Sequence, residues 1–302
     1  MVNVTIPCHL PSADINTLPM LALPKILSVI TVLTGVLSSS GFGAVIASTS
    51  FGGSAAAPTG DTGFSSTIWA STAGGATASS ATFTPGDIPA TIPTAYTSTG
   101  FTNTGNYLTT QASPAFRTLS SSISNETSST TYFSFLYRVN TEVAGNGGGL
   151  SFFNGATELF QFGYGGGNQI RIAPVGATQV NTSGTYVAGS TLFMVGKIQS
   201  GVGADTLSIR FFQGSEALET TDAAVFSGTQ FATINHPIPS AIDTIRFNSP
   251  ASPASTQSFD EFRMGSSLAD VTAVPEPSTF ATVAFGLAGM LGMRRARNRQ
   301  RI

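Results

Sequence analysis

Charge is scarce in this chain: Lys, Arg, Asp and Glu make up 9% of its 302 residues, against 41% hydrophobic ones. Disordered segments pair low hydrophobicity with high charge, so this composition points to a packed core. Cysteine is nearly absent. Cys8 stands alone, without the small apolar stretch before it that a lipoprotein signal requires, and one cysteine excludes an internal disulfide. Once an N-terminal segment is removed no cysteine remains, and stability must come from the core. Histidine is limited to His9 and His236; one His without a Cys or acidic partner is poor material for a metal site or a triad. Neither G-x-S-x-G nor H-E-x-x-H occurs, and no P-loop lysine follows the glycine runs, which leaves no catalytic residue to name. Basic residues are thin in the middle. From Ser48 to Ala273, seven Lys/Arg face thirteen Asp/Glu, a net of −6. A mildly acidic body excludes nucleic acid as a partner, because phosphate binding needs a basic face.

The ends carry what the middle lacks. Lys25 is followed by the twelve-residue apolar run Ile26–Leu37 and then by small and polar residues up to Ala47. A charged start, an apolar stretch and small residues at −3 and −1 make a secretory signal peptide over residues 1–47. Val45 at −3 and Ala47 at −1 place cleavage after Ala47. Such a signal brings the Sec translocon and signal peptidase as partners. The lead before Lys25 is long, and Met20-Leu-Ala-Leu-Pro-Lys25 makes a more ordinary beginning, with Met20 as the true start.

At the other end, Pro275-Glu276-Pro277 precedes an apolar run from Thr279 to Met293, and Arg294, Arg295, Arg297, Arg299 and Arg301 follow. Fifteen helical residues reach roughly 22 Å at 1.5 Å each, short of a bilayer core of roughly 30 Å. A span this short thins the membrane or extends its arginines. Gly286, Gly289 and Gly292 share one face and allow close helix approach. The arginines stop transfer and hold the tail in the cytoplasm, so the body lies outside. The two prolines keep the junction extended and open to a protease.

This order of triplet, short apolar helix and arginine cluster over residues 274–302 resembles the PEP-CTERM sorting signal of Gram-negative bacteria. The resemblance implies an exosortase as partner, processing near Pro275-Glu276-Pro277 and transient anchoring in the inner membrane. It also implies a mature form at the cell surface or outside the cell, in species that make exopolysaccharide and biofilm.

Between the ends, aromatic residues alternate with polar ones. Phe133, Phe135, Tyr137 and Val139 share one strand face, as do Phe160, Phe162 and Tyr164, and again Leu207, Ile209 and Phe211. Further strands are expected over Leu150–Phe153, Gln169–Ile172, Leu192–Ile198, Ile242–Phe247 and Phe259–Met264. Glycine-rich turns separate them, and many short strands with such turns make a sandwich or barrel. Ser48–Gly100 is rich in Ser, Thr, Ala and Gly and reads either as a flexible stalk or as the first strands of the same domain. The only Trp, Trp69, and the strand-like Gly105–Leu108 favour the second.

The body, residues 48–273, is similar to the LamG-like jelly-roll domains that precede PEP-CTERM signals. The residues that carry this are Thr131–Arg138, Gly149–Gly155, Leu192–Ile198, Asp205–Ile209 and the closing Ser258–Gly265. The resemblance implies an all-β, concanavalin-like sandwich of two antiparallel sheets.

Asp260 and Glu261 form an adjacent acid pair. On an extended strand they point to opposite faces and cannot serve together as acid and base. One of them with Asp205 or Asp222 could hold Ca²⁺; the plainer reading gives Asp260 a backbone amide or Arg263 as partner. No metal site and no cofactor is therefore assigned. The composition and the addressing signals favour an exported non-enzymatic protein of the surface or exopolysaccharide matrix. The alternative is a carbohydrate-binding module, with Trp69, Tyr164 and Tyr186 as stacking candidates.

Overall fold

Alternation of large apolar and small polar side chains decides the architecture, because each strand it creates has one face that must be covered. The computed structural model describes residues 44–101, 105–141, 147–201, 203, 205–219, 221–249 and 255–272. An eight-stranded antiparallel sheet contains β1 (Val45–Thr49), β4 (Thr82–Pro85), β5 (Asn106–Thr110), β7 (Ser129–Thr141), β12 (Thr191–Ser200), β13 (Thr206–Phe212), β14 (Phe231–Asn235) and β16 (Thr256–Gly265). Its order is β14-β13-β12-β7-β16-β5-β4, and β1 lies beside β16. A six-stranded antiparallel sheet runs in the order β11 (Val180–Asn181), β10 (Gln169–Pro174), β9 (Thr157–Gly166), β8 (Gly149–Asn154), β15 (Ile242–Asn248) and β6 (Ala115–Ile123). A two-residue ribbon joins β2 (Gly52–Gly53) to β3 (Pro58–Thr59).

The inner faces of the two sheets share one core. Phe133, Phe135 and Tyr137 of β7 meet Phe152 of β8, Phe160 and Phe162 of β9 and Phe247 of β15 there. Phe133 and Phe162 lie 4.9 Å apart and Phe152 and Phe160 5.0 Å apart, within the range that aromatic pairs prefer. Gly196 of β12 stands opposite Phe133, whose ring occupies the space a Cβ would need. Ser48–Gly100 is built into this sandwich: Phe51 and Trp69 are fully buried and pack on Phe247 at 5.3 and 5.8 Å. The edge there is closed by the buried ion pair of Arg117 with Asp61, 2.6 Å apart, whose guanidinium lies over the Phe64 and Trp69 rings.

The outer face of the eight-stranded sheet is also covered. Leu136, Phe193, Val195 and Phe212 form a second cluster with Ile88, Ala95 and Tyr96 from the segment carrying α1 (Thr94–Thr97) and with Val225 from α2 (Asp222–Val225). The last element is α3 (Leu268–Thr272). Of the expected signal peptide, residues 1–47, positions 1–43 lie outside the described residues, whereas Ala44–Ala47 run into β1 of the sandwich; the expected C-terminal apolar helix, Thr279–Met293, lies wholly outside the described residues.

Candidate functional site

Strand β16 carries the most unusual chemistry. Its register with β7 shifts between Asp260 and Arg263, where three steps on β16 match two on β7. That is a β-bulge. Glu261 takes φ 49°, a left-handed conformation that costs a non-glycine residue about 1 kcal/mol or more. The bulge also divides the far edge of β16: β5 pairs with Gln257–Phe259, and β1 pairs with Phe262–Gly265.

The bulge breaks alternation, and this overturns the expectation that Asp260 and Glu261 face opposite ways. Both carboxylates lie on the outer side, beneath the segment that carries α1, and are 1% and 3% exposed. Asp260 accepts from the amides of Ile88 (3.3 Å) and Glu261 (2.9 Å), in line with the backbone partner expected for it. Glu261 faces Arg263 at 3.5 Å, and the Arg263 guanidinium stacks on the Phe101 ring at 3.5 Å. Burial first, then the Glu261 charge beside it, pushes the Asp260 carboxyl up to about 8. Burial and the same carboxylates raise the nearby Tyr96 phenol. At neutral pH the Asp260 carboxyl therefore keeps its proton.

The acids considered for Ca²⁺ are occupied in different places. Asp205 accepts from the amides of Gly201 (2.9 Å) and Ile238 (2.6 Å) at the start of β13. Asp222 in α2 binds Lys197 at 2.8 Å and the Tyr132 hydroxyl at 2.9 Å. Among the described residues no three His, Cys, Asp or Glu side chains converge as metal ligands. His236 lies just after β14, and its amide donates to the Asp205 carbonyl at 2.8 Å.

A second arrangement covers the outer face of the six-stranded sheet. Arg171 donates to Gln179 (2.7 Å) and Gln161 (3.2 Å), and Gln161 donates to Ser151 and Asn248, each at 3.1 Å. Arg246 then bridges Ser151 (3.0 Å) and Glu158 (2.8 Å). The result is a continuous layer of guanidinium, amide and hydroxyl groups across β10, β9, β8 and β15. Burial lowers the affinity of both guanidiniums for their protons, yet arginine stays charged in proteins. Sequence reading did not name this layer, although Gln161 and Arg246 hold the outward positions between inward aromatics on their strands.

The aromatic side chains considered for stacking a sugar are inside. Trp69, Tyr164 and Tyr186 are 0%, 2% and 3% exposed. Two surface clefts are small: one of about 170 Å³ beside Ser65, Gly74 and Phe116, the other of about 130 Å³ beside Ser48, Gly60 and Glu261. Small-molecule sites usually occupy roughly 300–1,000 Å³.

The fold is fastened up to its last described residue. Ser134 of β7 donates to the Val271 carbonyl at 2.6 Å, and Asp270 accepts from the Ser267 amide at 2.8 Å. Val271 and Thr272 are buried. Pro275, Glu276 and Pro277 and the cluster Arg294, Arg295, Arg297, Arg299 and Arg301 lie outside the described residues, three to twenty-nine positions beyond Thr272. Among the described residues no helix is long and apolar enough to cross a membrane. Ala47 lies inside β1, fully buried and paired with Met264.

Comparison with known proteins follows these features. Among solved structures, the T. cruzi calreticulin globular domain is similar at 15% identity with a TM-score of 0.37, over 74% of this chain and 95% of that one. A Trypanosoma rangeli sialidase matches at 13% and 0.33, over 54% of this chain and 25% of that one. An alginate lyase of polysaccharide lyase family 7 matches at 12% and 0.34, over 51% and 69%. No curated protein matches the chain. Residues 273–297 match the PEP-CTERM protein-sorting motif. The antiparallel β body that closes at Thr272 is thus followed directly by a PEP-CTERM protein-sorting motif.

Proposed function

We propose that this protein is an exported, non-enzymatic component of the cell surface or extracellular matrix, sorted by an exosortase and associated with exopolysaccharide. In this reading an N-terminal signal sends a LamG-like jelly-roll body through the inner membrane. The short apolar helix holds it there, Arg294–Arg301 stays in the cytoplasm, and the exosortase cuts near Pro275-Glu276-Pro277. The observation that carries the reading is the sorting motif directly after the last buried residue of the fold. Two-residue spacing between Thr272 and Pro275 leaves the body close to the membrane until it is released, and the buried α3 favours a cut beyond Thr272.

Fractionation of the native host, with mass spectrometry of both termini, tests this. The expected product lies outside the cytoplasm and lacks Arg294–Arg301. An exported chain that keeps those arginines would sink the sorting step.

A second reading, a carbohydrate-binding module, is favoured by the polar layer on the six-stranded sheet. The half-buried guanidiniums of Arg171 and Arg246 and the exposed Gln179 amide set donors at fixed spacing over the buried Gln161 and Ser151, which suits sugar hydroxyls. Retention of the protein in gels containing the host's own polysaccharide is the check. Binding that Arg171→Ala and Gln161→Ala each reduce tenfold or more supports it; unchanged mobility removes it.

A further inference from the structure

We propose that the β body withstands proteases that cut after lysine and arginine by keeping every such residue out of its loops. The proposal goes beyond the sorting reading and does not depend on it.

Lysine and arginine are ordinarily exposed residues, and exposed loops are where proteases nick a folded chain first. Here the seven between Ser48 and Ala273 all lie on strands. Six of them have a paired strand on either side. Arg138 of β7 pairs with Thr191 and Ser258, Lys197 of β12 with Tyr132 and Ser208, and Arg210 of β13 with Val195 and Phe231. Arg171 of β10 lies between Gly163 and Asn181, Arg246 of β15 between Phe116 and Ser151, and Arg263 of β16 between Ser134 and Ser48. Arg117 of β6 pairs with Ile245 on one side. On its other side the Phe116 and Thr118 carbonyls accept from the amides of Ala70 at 2.9 Å and Ser65 at 3.0 Å.

The side chains are held as firmly as the backbone. Arg117 and Arg210 are buried and the other five are half-buried. Arg117, Lys197, Arg210 and Arg246 meet carboxylates at 2.6–2.8 Å, and Arg138 donates to the Gly189 carbonyl at 2.8 Å. A trypsin-type enzyme needs the basic side chain in its specificity pocket and an extended backbone free to pair with its own. Both are already taken, so cutting waits for the sheet to open and follows the small open population. The turns carry other residues. Val175, just after β10, and Val187, shortly before β12, are 56% and 66% exposed, and an elastase-type enzyme with its small pocket accepts such side chains. The remaining basic residues, Lys25 and the five arginines from Arg294 to Arg301, stand on segments that export and sorting remove in the reading above.

The test digests the full chain, kept in detergent, with trypsin and with elastase at matched activity, and identifies the fragments by mass spectrometry. Trypsin is expected to leave residues 44–272 in one piece. Elastase is expected to cut inside that piece at least about a hundredfold faster than trypsin does. In urea trypsin cuts after all seven positions, which shows that the sites themselves are competent. Two variants separate the placement of basic residues from general rigidity. Val187→Arg and Val175→Arg each put a basic side chain on an exposed turn, and each should give trypsin one new cut at that position, about tenfold or more faster than any in the unchanged body. Trypsin cleavage of the unchanged body at the elastase rate overturns the proposal. A body that elastase leaves whole, or that trypsin leaves whole in both variants, overturns it too, because rigidity everywhere would then be the cause. Failure of sorting in the host alters none of these results.

Discussion

Asp260 carries an acid group into a place where water barely reaches it. An aspartate in an unfolded chain ionises near pH 4, whereas burial and Glu261 push Asp260 up to about 8 in the fold. Between these values unfolding releases a proton, so this residue makes stability fall as the pH rises from about 4 to about 8, and level off above. Asp260→Asn keeps an acceptor for the Ile88 amide and removes the titration. It should flatten the pH dependence of urea unfolding in that window and raise stability at pH 8 by on the order of a few kcal/mol. An unchanged profile would mean the carboxyl is not held neutral. The Arg117–Asp61 pair behaves differently. Burial raises Asp61 and lowers Arg117 from their ordinary values, and each offsets the other's isolation. Asp61→Ala should cost about 3–5 kcal/mol by stranding a buried guanidinium. Adding Arg117→Leu to it should recover part of that loss in the same unfolding assay.

At the scale of elements, legibility followed periodicity. Phe133, Phe135 and Tyr137 mark β7, and Phe160, Phe162 and Tyr164 mark β9, because each inner face is lined by large side chains at every second position. β14 reads poorly, since Phe-Ala-Thr-Ile-Asn at the sheet edge buries only Ala232 and Ile234 on its inner face and carries no row of large side chains. β1 was hidden for another reason: Val45-Ile46-Ala47-Ser48-Thr49 has the composition of a cleavage region, and only its pairing with β16 identifies it as structure. The bulge at Glu261 was invisible, because an alternating pattern contains no mark for an inserted residue. Glycine takes φ 49° without strain and glutamate only at a cost, so the strain is separable from the contacts. Glu261→Gly should be less destabilising than Glu261→Ala, by about 1 kcal/mol, in thermal or urea unfolding. If Ala is as stable as Gly, strain at the bulge is not what the side chain resists.

Taken whole, the molecule joins an antiparallel β body to a PEP-CTERM protein-sorting motif. The sorting motif was legible because a proline-bracketed acid, a short apolar run and clustered arginines form an order that chance composition does not give. The polar layer of Arg171, Gln161, Ser151, Arg246 and Glu158 was not legible, since its members come from four strands brought side by side only by the six-stranded sheet. Nor was the covered outer face of the eight-stranded sheet, which turns Asp260 and Glu261 into buried groups. The two ends of the body lie close together: Ala44 bonds to Ser266, and α3 begins two residues later at Leu268. The most direct measurement is the intact mass of the protein recovered from the surface or medium of its host. The account predicts a species that has lost its N-terminal signal and ends shortly beyond Thr272, without the arginine tail. Recovery of the full 31.0 kDa chain, folded and soluble in the cytosol, would contradict it.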